Sequence, residues 1–149
     1  MKVSEVMTRD VLVITPQETI QRAAQHMAET GCGALPIEEN QHLVGMVTDR
    51  DIVLRALAHG MSHDTPVREI MSTGVKYCFD DEELGQIGRN MADIQVKRLA
   101  VLNREKRLVG IVSLGDLANS EDAEAASMAL SGISEPCEAH VSQGSRPGK

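Results

Sequence analysis

The chain has 149 residues, a formal net charge of −7, one Tyr, one Phe and no Trp. That charge argues against a nucleic-acid binder working through phosphate neutralisation, and no stretch reaches the roughly 20 apolar residues of a membrane span. The opening residues lack the apolar segment of a secretory leader. Three widely spaced cysteines, Cys32, Cys78 and Cys137, form no zinc-type cluster and fit a reducing cytoplasm.

In chain order, residues 2–7 read as a short helical turn and residues 11–14 as a strand ended by Thr15-Pro16. Residues 18–29 read as a helix, because Ile20, Ala23, Ala24 and Met27 fall on one face. Gly31-Cys32-Gly33 stops it. Residues 34–37 form a strand, and Pro36 within it suggests a position whose amide no ladder needs. A polar turn at 38–42 leads to a strand at 43–47, which runs into a helix from Asp49 to about His59. Residues 61–66 are a linker. His59 and His63 have a spacing that could bind metal, but Gly60 between them, with no Glu partner, favours a solvated linker.

The pattern then repeats. Val3-Ser4-Glu5-Val6-Met7-Thr8 returns as Val67-Arg68-Glu69-Ile70-Met71-Ser72, and Val11, Glu18, Met27 and Ala28 return as Val75, Glu82, Met91 and Ala92. Leu43-Val44-Gly45-Met46-Val47-Thr48 returns as Leu108-Val109-Gly110-Ile111-Val112-Ser113, one residue further displaced. A repeat of this length is a supersecondary unit. The second copy has a turn at 67–71, a strand at 75–79, a helix at 82–93, strands at 98–102 and 108–112, and a helix from Leu114 continuing through 121–130. Residues 132–149 turn to Ser, Pro, Gly and Gln and read as a disordered tail. A lone copy of about 60 residues would bury only about 60% of its unfolded surface, so the two copies are expected to share a core.

Each copy closes on a hydroxyl and an acid at a strand-to-helix junction: Thr48 with Asp51, and Ser113 with Asp116. One reading is a capping box, in which hydroxyl and carboxylate satisfy unpaired helix amides. The other is a nucleotide site. A carboxylate accepts both hydroxyls of a ribose, while a hydroxyl and the helix N-terminal amides suit a phosphate.

These motifs together resemble a tandem pair of CBS domains, named after cystathionine β-synthase. The resemblance rests on the openings Val-x-x-Val/Ile-Met-Thr/Ser, the Thr15-Pro16 step, Ala34-Leu35-Pro36-Ile37 and the two closings Gly-apolar-Val-Thr/Ser-x-x-Asp, and it covers about residues 1–120. It implies an α/β (α+β) fold of two repeats, 1–60 and 67–131, related by a pseudo-twofold axis. Each repeat is then a small three-stranded sheet packed with two helices. It implies clefts between the repeats for AMP, ADP, ATP, NAD or a similar adenosyl ligand, with no metal beyond a nucleotide's Mg²⁺. It also implies a homodimer that regulates another protein and catalyses nothing.

Carried onto this chain, the resemblance makes Thr48, Asp51, Ser113 and Asp116 ribose and phosphate contacts. It makes Ile14, Thr15, Pro16, Cys32, Gly33, Ala34 and Leu35 the base and ribose lining, with Cys78, Phe79, Asp80, Val96, Lys97, Arg98 and Leu99 as counterparts. The copies differ where Arg50 faces Gly115, Pro36 faces Ala100, and Gly33-Ala34 faces Lys97-Arg98. Arg50 therefore offers a phosphate contact in the first copy only, and Lys97 and Arg98 in the second only. Asp80 either accepts from an adenine amine or repels a phosphate. Tyr77 and Phe79 share one face of a strand, either as an adenine platform or as core or interface filling. Lys97, Arg98, Arg104, Lys106 and Arg107 form a small basic patch of the kind found at solvated strand edges.

Two rival functions follow. A scaffold reading keeps the same fold as a dimerisation module with empty clefts. An enzyme of the inosine monophosphate dehydrogenase type would need a catalytic barrel of about 250 residues, for which the chain has no room.

Overall fold

The computed structural model describes residues 1–133; the expected tail from residue 134 and Cys137 lie outside the described residues. The first repeat holds α1 (Ile20–Thr30), β1 (Ala34–Glu39) and β2 (His42–Thr48). β2 enters α2 (Asp49–Asp51), which continues as a π-helical segment, Ile52–Ala56, and a 3-10 turn, Leu57–His59. The second holds β3 (Tyr77–Phe79), α3 (Leu84–Ile94), β4 (Arg98–Leu102), β5 (Leu108–Ser113), α4 (Leu114–Ala118) and α5 (Ala123–Ile133). β1 and β2 are antiparallel with Ala34 opposite Thr48. β4 and β5 repeat that pairing with Arg98 opposite Ser113, and β3 lies parallel to β4.

The expected strand at 11–14 is reduced to a single parallel bridge between Ile14 and Ile37. Ile14 donates to the Pro36 carbonyl at 3.1 Å and accepts from Glu38 at 3.0 Å. The next rung needs an amide on residue 36 to reach the Leu12 carbonyl, and proline has none. In the second repeat Ala100 fills that position and donates to the Lys76 carbonyl at 3.3 Å. A three-residue strand forms there, at Tyr77–Phe79 instead of the expected 75–79. The last helix also differs from expectation. It stops at Asn119, and a new helix starts where the Asp122 carboxylate accepts from the Ala125 amide at 3.0 Å. That break lets α5 turn back against α3 and α4.

The opening turns cross over. Val3 and Met7 are buried in the second repeat's core with Cys78, Leu84, Ile87 and Met91. Val67 and Ile70 are buried in the first repeat's core with Ile14, Ile20, Leu35 and Val47. Matching hydrogen bonds fix both turns. The Val3 amide donates to the Glu82 carbonyl at 3.0 Å, and the Val67 amide to the Glu18 carbonyl at 2.8 Å. Thr8 and Ile111 exchange both backbone bonds, as do Ser72 and Met46. The Val67 bond also bears on the first helix start: Glu18 accepts from Val67 and the Ile20 amide donates to the Thr65 carbonyl, so α1 begins at Ile20 behind its Thr19 cap. Between the repeats, Ala34, Met46, Ala100 and Ile111 form a third buried cluster.

Gly45 and Gly110 sit where the crossing turns touch the sheets. A Cβ on Gly110 would lie 2.6 Å from the Thr8 carbonyl oxygen and 2.9 Å from Met7 Sδ. On Gly45 it would lie 2.7 Å from Met71 Sδ and 2.9 Å from the Ser72 carbonyl oxygen. Gly110→Ala is therefore expected to destabilise by about 1–3 kcal/mol, the usual cost of overpacking. For a chain of this size each kcal/mol lowers Tm by about 2–4 °C. Gly115→Ala is the control, because its Cβ meets nothing nearer than Ser113 Oγ at 3.6 Å. Equal melting temperatures for the two variants would show that the crossing does not hold the repeats together.

Candidate functional site

Both junction motifs form complete capping boxes. Thr48 Oγ1 accepts from the Asp51 amide at 3.1 Å, and Asp51 Oδ2 accepts from the Thr48 amide at 2.9 Å. Ser113 Oγ and the Asp116 amide are 3.2 Å apart, and Asp116 Oδ2 accepts from the Ser113 amide at 2.9 Å. The capping reading is thus realised, yet it uses one carboxylate oxygen of each acid. Asp51 Oδ1 lies 3.6 Å from Arg55 Nε. Asp116 Oδ1 makes no hydrogen bond or ion pair among the described residues.

Two clefts open at the seam, each built from both repeats. The first, of 240 Å³, is lined by Ser113, Asp116 and Ile111 of the second repeat and by Thr8, Val11 and residues 31–34 of the first. The second, of 340 Å³, is lined by Thr48 and Met46 of the first repeat and by residues 72–76 and Val96, Lys97 and Arg98 of the second. These volumes border the lower end of small-molecule sites, roughly 300–1,000 Å³. Arg98 lines both.

The structure regroups the expected contacts. Lys97 and Arg98 stand beside Thr48, so charges do not divide by copy as the sequence suggested. Arg50 is exposed and lines neither cleft, and Asp51 is not part of the second lining. Cys32, Gly33 and Ala34 line the Asp116 cleft, with the Cys32 thiol donating to the Ala34 carbonyl at 3.1 Å. Leu35 is core instead, 1% exposed.

The residues expected from the first strand lie elsewhere. Ile14 is buried in the first core, and the Pro16 carbonyl accepts from the Arg68 amide at 3.1 Å. Thr15 is exposed, and none of the three lines either cleft. Val11 and Val75, three to four residues earlier on each segment, take that place. The cleft lining on these segments thus falls three to four residues before the carried-over positions. Asp80 is likewise remote, because its backbone bonds Leu102 and the crossing Ser4.

Phe79 carries the Arg104 guanidinium 4.1 Å above its ring, and Arg104 is held bidentately by Asp81 at 2.8 and 2.9 Å. That bond, more than the charge alone, holds the exposed Asp81 carboxyl below its usual range. One face of the ring is therefore covered by a cation. Tyr77 packs edge-on against Phe79 and, with Cys78 and Leu99, lines a separate groove between β3 and α3. The basic patch also divides, with Arg107 hydrogen-bonded to Gln41 across the seam. Among the described residues no group of three or more His, Cys, Asp or Glu could hold a metal ion. No helix among them is long and apolar enough to cross a membrane.

The CBS domain family model matches residues 3–57 and 67–121. The chain belongs to the CBS-domain family, as a tandem pair. The CBS domain-containing protein YhcV of Bacillus subtilis is 43% identical over 133 residues, covering 89% of this chain and 94% of that protein. A crystal structure of Hypoxic Response Protein I with two coordinated zinc ions, a protein known in Mycobacterium tuberculosis, matches with a TM-score of 0.70 and 35% identity. That match covers 79% of this chain and 97% of the other. The CBS domain protein PAE2072 from Pyrobaculum aerophilum, complexed with AMP, matches with a TM-score of 0.73 and 25% identity over 87% and 99% of the two chains.

The two described cysteines differ in chemistry. Burial, more than the nearby Glu82 and Asp80, pushes the Cys78 thiol up to about 12. A thiol held neutral in the fold while its unfolded form ionises removes stability as pH rises from about 9 toward 12, because the unfolded state then binds fewer protons. Wild-type protein is expected to lose denaturant resistance across that window more steeply than Cys78→Ala. At pH 8, iodoacetamide is expected to label Cys32 well before Cys78, read by peptide mass mapping. Equal labelling rates would place Cys78 outside the core.

Proposed function

We propose that this chain is a non-catalytic regulatory module that senses adenine nucleotides, taking AMP, ADP, ATP, NAD or a similar adenosyl ligand in the clefts between its repeats. The observation that carries the reading is the Asp116 cleft. One oxygen of its carboxylate is held by the cap, the other has no partner among the described residues, and Asp116 lines a cavity together with residues 31–34. A ribose diol fits such an acceptor. The AMP complex of PAE2072, a chain of the same fold, supports the ligand class.

Because each cleft has walls from both repeats, a ligand that binds one relative arrangement better shifts the population toward it. A regulated protein in the cytoplasm reads that shift as a signal. A second copy of the chain is the expected neighbour: Val53, Leu54 and Leu57 at the end of one helix, and Met61 just after it, are exposed, with Leu57 72% exposed. Light scattering is expected to return twice the 16.2 kDa chain mass, and a monomer at micromolar concentration would remove the homodimer.

The site itself is tested by calorimetry with AMP, ATP and NAD on wild type and Asp116→Asn. Losing a hydrogen bond to a charged acceptor costs about 1.5–3 kcal/mol, so affinity is expected to fall about tenfold or more. Wild type at 100 times the Kd of its ligand gains about 2.7 kcal/mol of stability. Unchanged affinity with a lowered Tm would make Asp116 a helix cap alone. No thermal response to any adenosyl compound would leave the scaffold reading.

A further inference from the structure

The two clefts share a pseudo-symmetric backbone but not their charges. Arg98 is the second residue of Lys97-Arg98, and its counterpart in the first repeat is Ala34. Each opens a strand, opposite Ser113 and Thr48 respectively. Symmetry would place a side chain of the same kind at both positions, yet only one guanidinium is present for two cavities. It lines both of them and has no hydrogen-bond or ion-pair partner among the described residues.

The remaining charges differ. The other ionisable groups lining the Asp116 cleft are Asp116 and Cys32. Without Arg98 that cleft presents a carboxylate, which repels phosphate. The Thr48 cleft keeps Lys76 and Lys97 when Arg98 turns away, and no acid lines it. A guanidinium on a flexible arm can grip phosphate bidentately, but it can serve only one cavity at a time.

We propose that Arg98 is a phosphate-binding arm shared by the two clefts, so that an anion held in the Thr48 cleft weakens the binding of a nucleoside phosphate in the Asp116 cleft. This rests on the adenine-nucleotide reading and adds its regulation. The Asp116 cleft depends on Arg98 for any phosphate, whereas the Thr48 cleft does not. A polyphosphate in the Thr48 cleft therefore draws the arm across and leaves the Asp116 cleft suited to a nucleoside.

The test uses the full chain and inorganic pyrophosphate as the occupant of the Thr48 cleft. Calorimetry measures AMP and adenosine affinities with and without saturating pyrophosphate. In wild type, pyrophosphate is expected to weaken AMP at least tenfold, equivalent to about 1.4 kcal/mol, and to leave adenosine unchanged. In Arg98→Ala, AMP is expected to bind no better than adenosine, and pyrophosphate to change either by less than twofold. In Lys76→Ala/Lys97→Ala, which keeps Arg98 and the whole Asp116 cleft, the antagonism is expected to disappear. Antagonism that persists in the double lysine variant would mean direct competition inside one cleft, which overturns the proposal. AMP binding that ignores pyrophosphate in wild type overturns it too, while upholding the adenine-nucleotide reading. A wild-type protein that binds neither AMP nor adenosine overturns both.

Discussion

The reciprocal crossing of the two opening turns is the constraint on which the rest of the molecule depends. Each turn leaves its own repeat, exchanges two backbone hydrogen bonds with the far strand, and seals the far core with a valine that is fully buried. Full burial of such a side chain stabilises by about 1.5–3 kcal/mol, so neither repeat closes its core without the other. The same crossing explains why the sequence joins Met-Thr/Ser at one end of a copy to a glycine at the other end. Met7 and Thr8 press on Gly110, and Met71 and Ser72 press on Gly45. It also builds the clefts, because Thr8 lines one and Ser72 the other. The lock between the repeats and the walls of the sites are one set of atoms.

This arrangement dissolves the apparent choice between a cap and a ligand contact at the junction motifs. The cap fixes the carboxylate through one oxygen, which is the preorganisation a binding group needs. What differs is the use of the second oxygen. Asp51 lies near Arg55 on its own helix, an i,i+4 pair, whereas Asp116 Oδ1 has no such partner among the described residues. Two copies of one local motif thus acquire different chemical availability from a single residue one turn later, since position 120 in the second repeat is Ser where position 55 in the first is Arg. Ser120 Oγ instead donates to the Leu117 carbonyl.

What the sequence revealed was mostly local. The repeat, the strand-to-helix junctions and the pairing of hydroxyl with acid are contained in a few consecutive residues, and they were readable for that reason. Pro36 was half readable: its missing donor was evident, but not that the Leu12 carbonyl would be the group left without a rung. The period-2 rule put Tyr77 and Phe79 on one face, yet nothing near them in sequence pointed to Arg104 covering the Phe79 ring. The composition of the clefts was not readable at all from within one copy. Each cleft joins a junction from one repeat to a strand start from the other, and only the long-range crossing decides that partnership.

The duplication is symmetric in backbone and asymmetric in chemistry, and the asymmetry is concentrated in few positions. Pro36 against Ala100 alters the length of an edge strand, and Ala34 against Arg98 alters the charge of the seam. Ala34 and Ala100 both belong to the buried cluster with Met46 and Ile111, whereas Arg98, the counterpart of Ala34, stays outside it. The reason is geometric: Arg98 is exposed while Ala100 is buried, because side chains two apart on a strand share a face but need not share depth when the strand starts at a cleft rim. A charge can therefore be added at the rim without entering the core. That separation lets two cavities made from one pattern differ in the charges that line them while the strand pairing beside them stays the same.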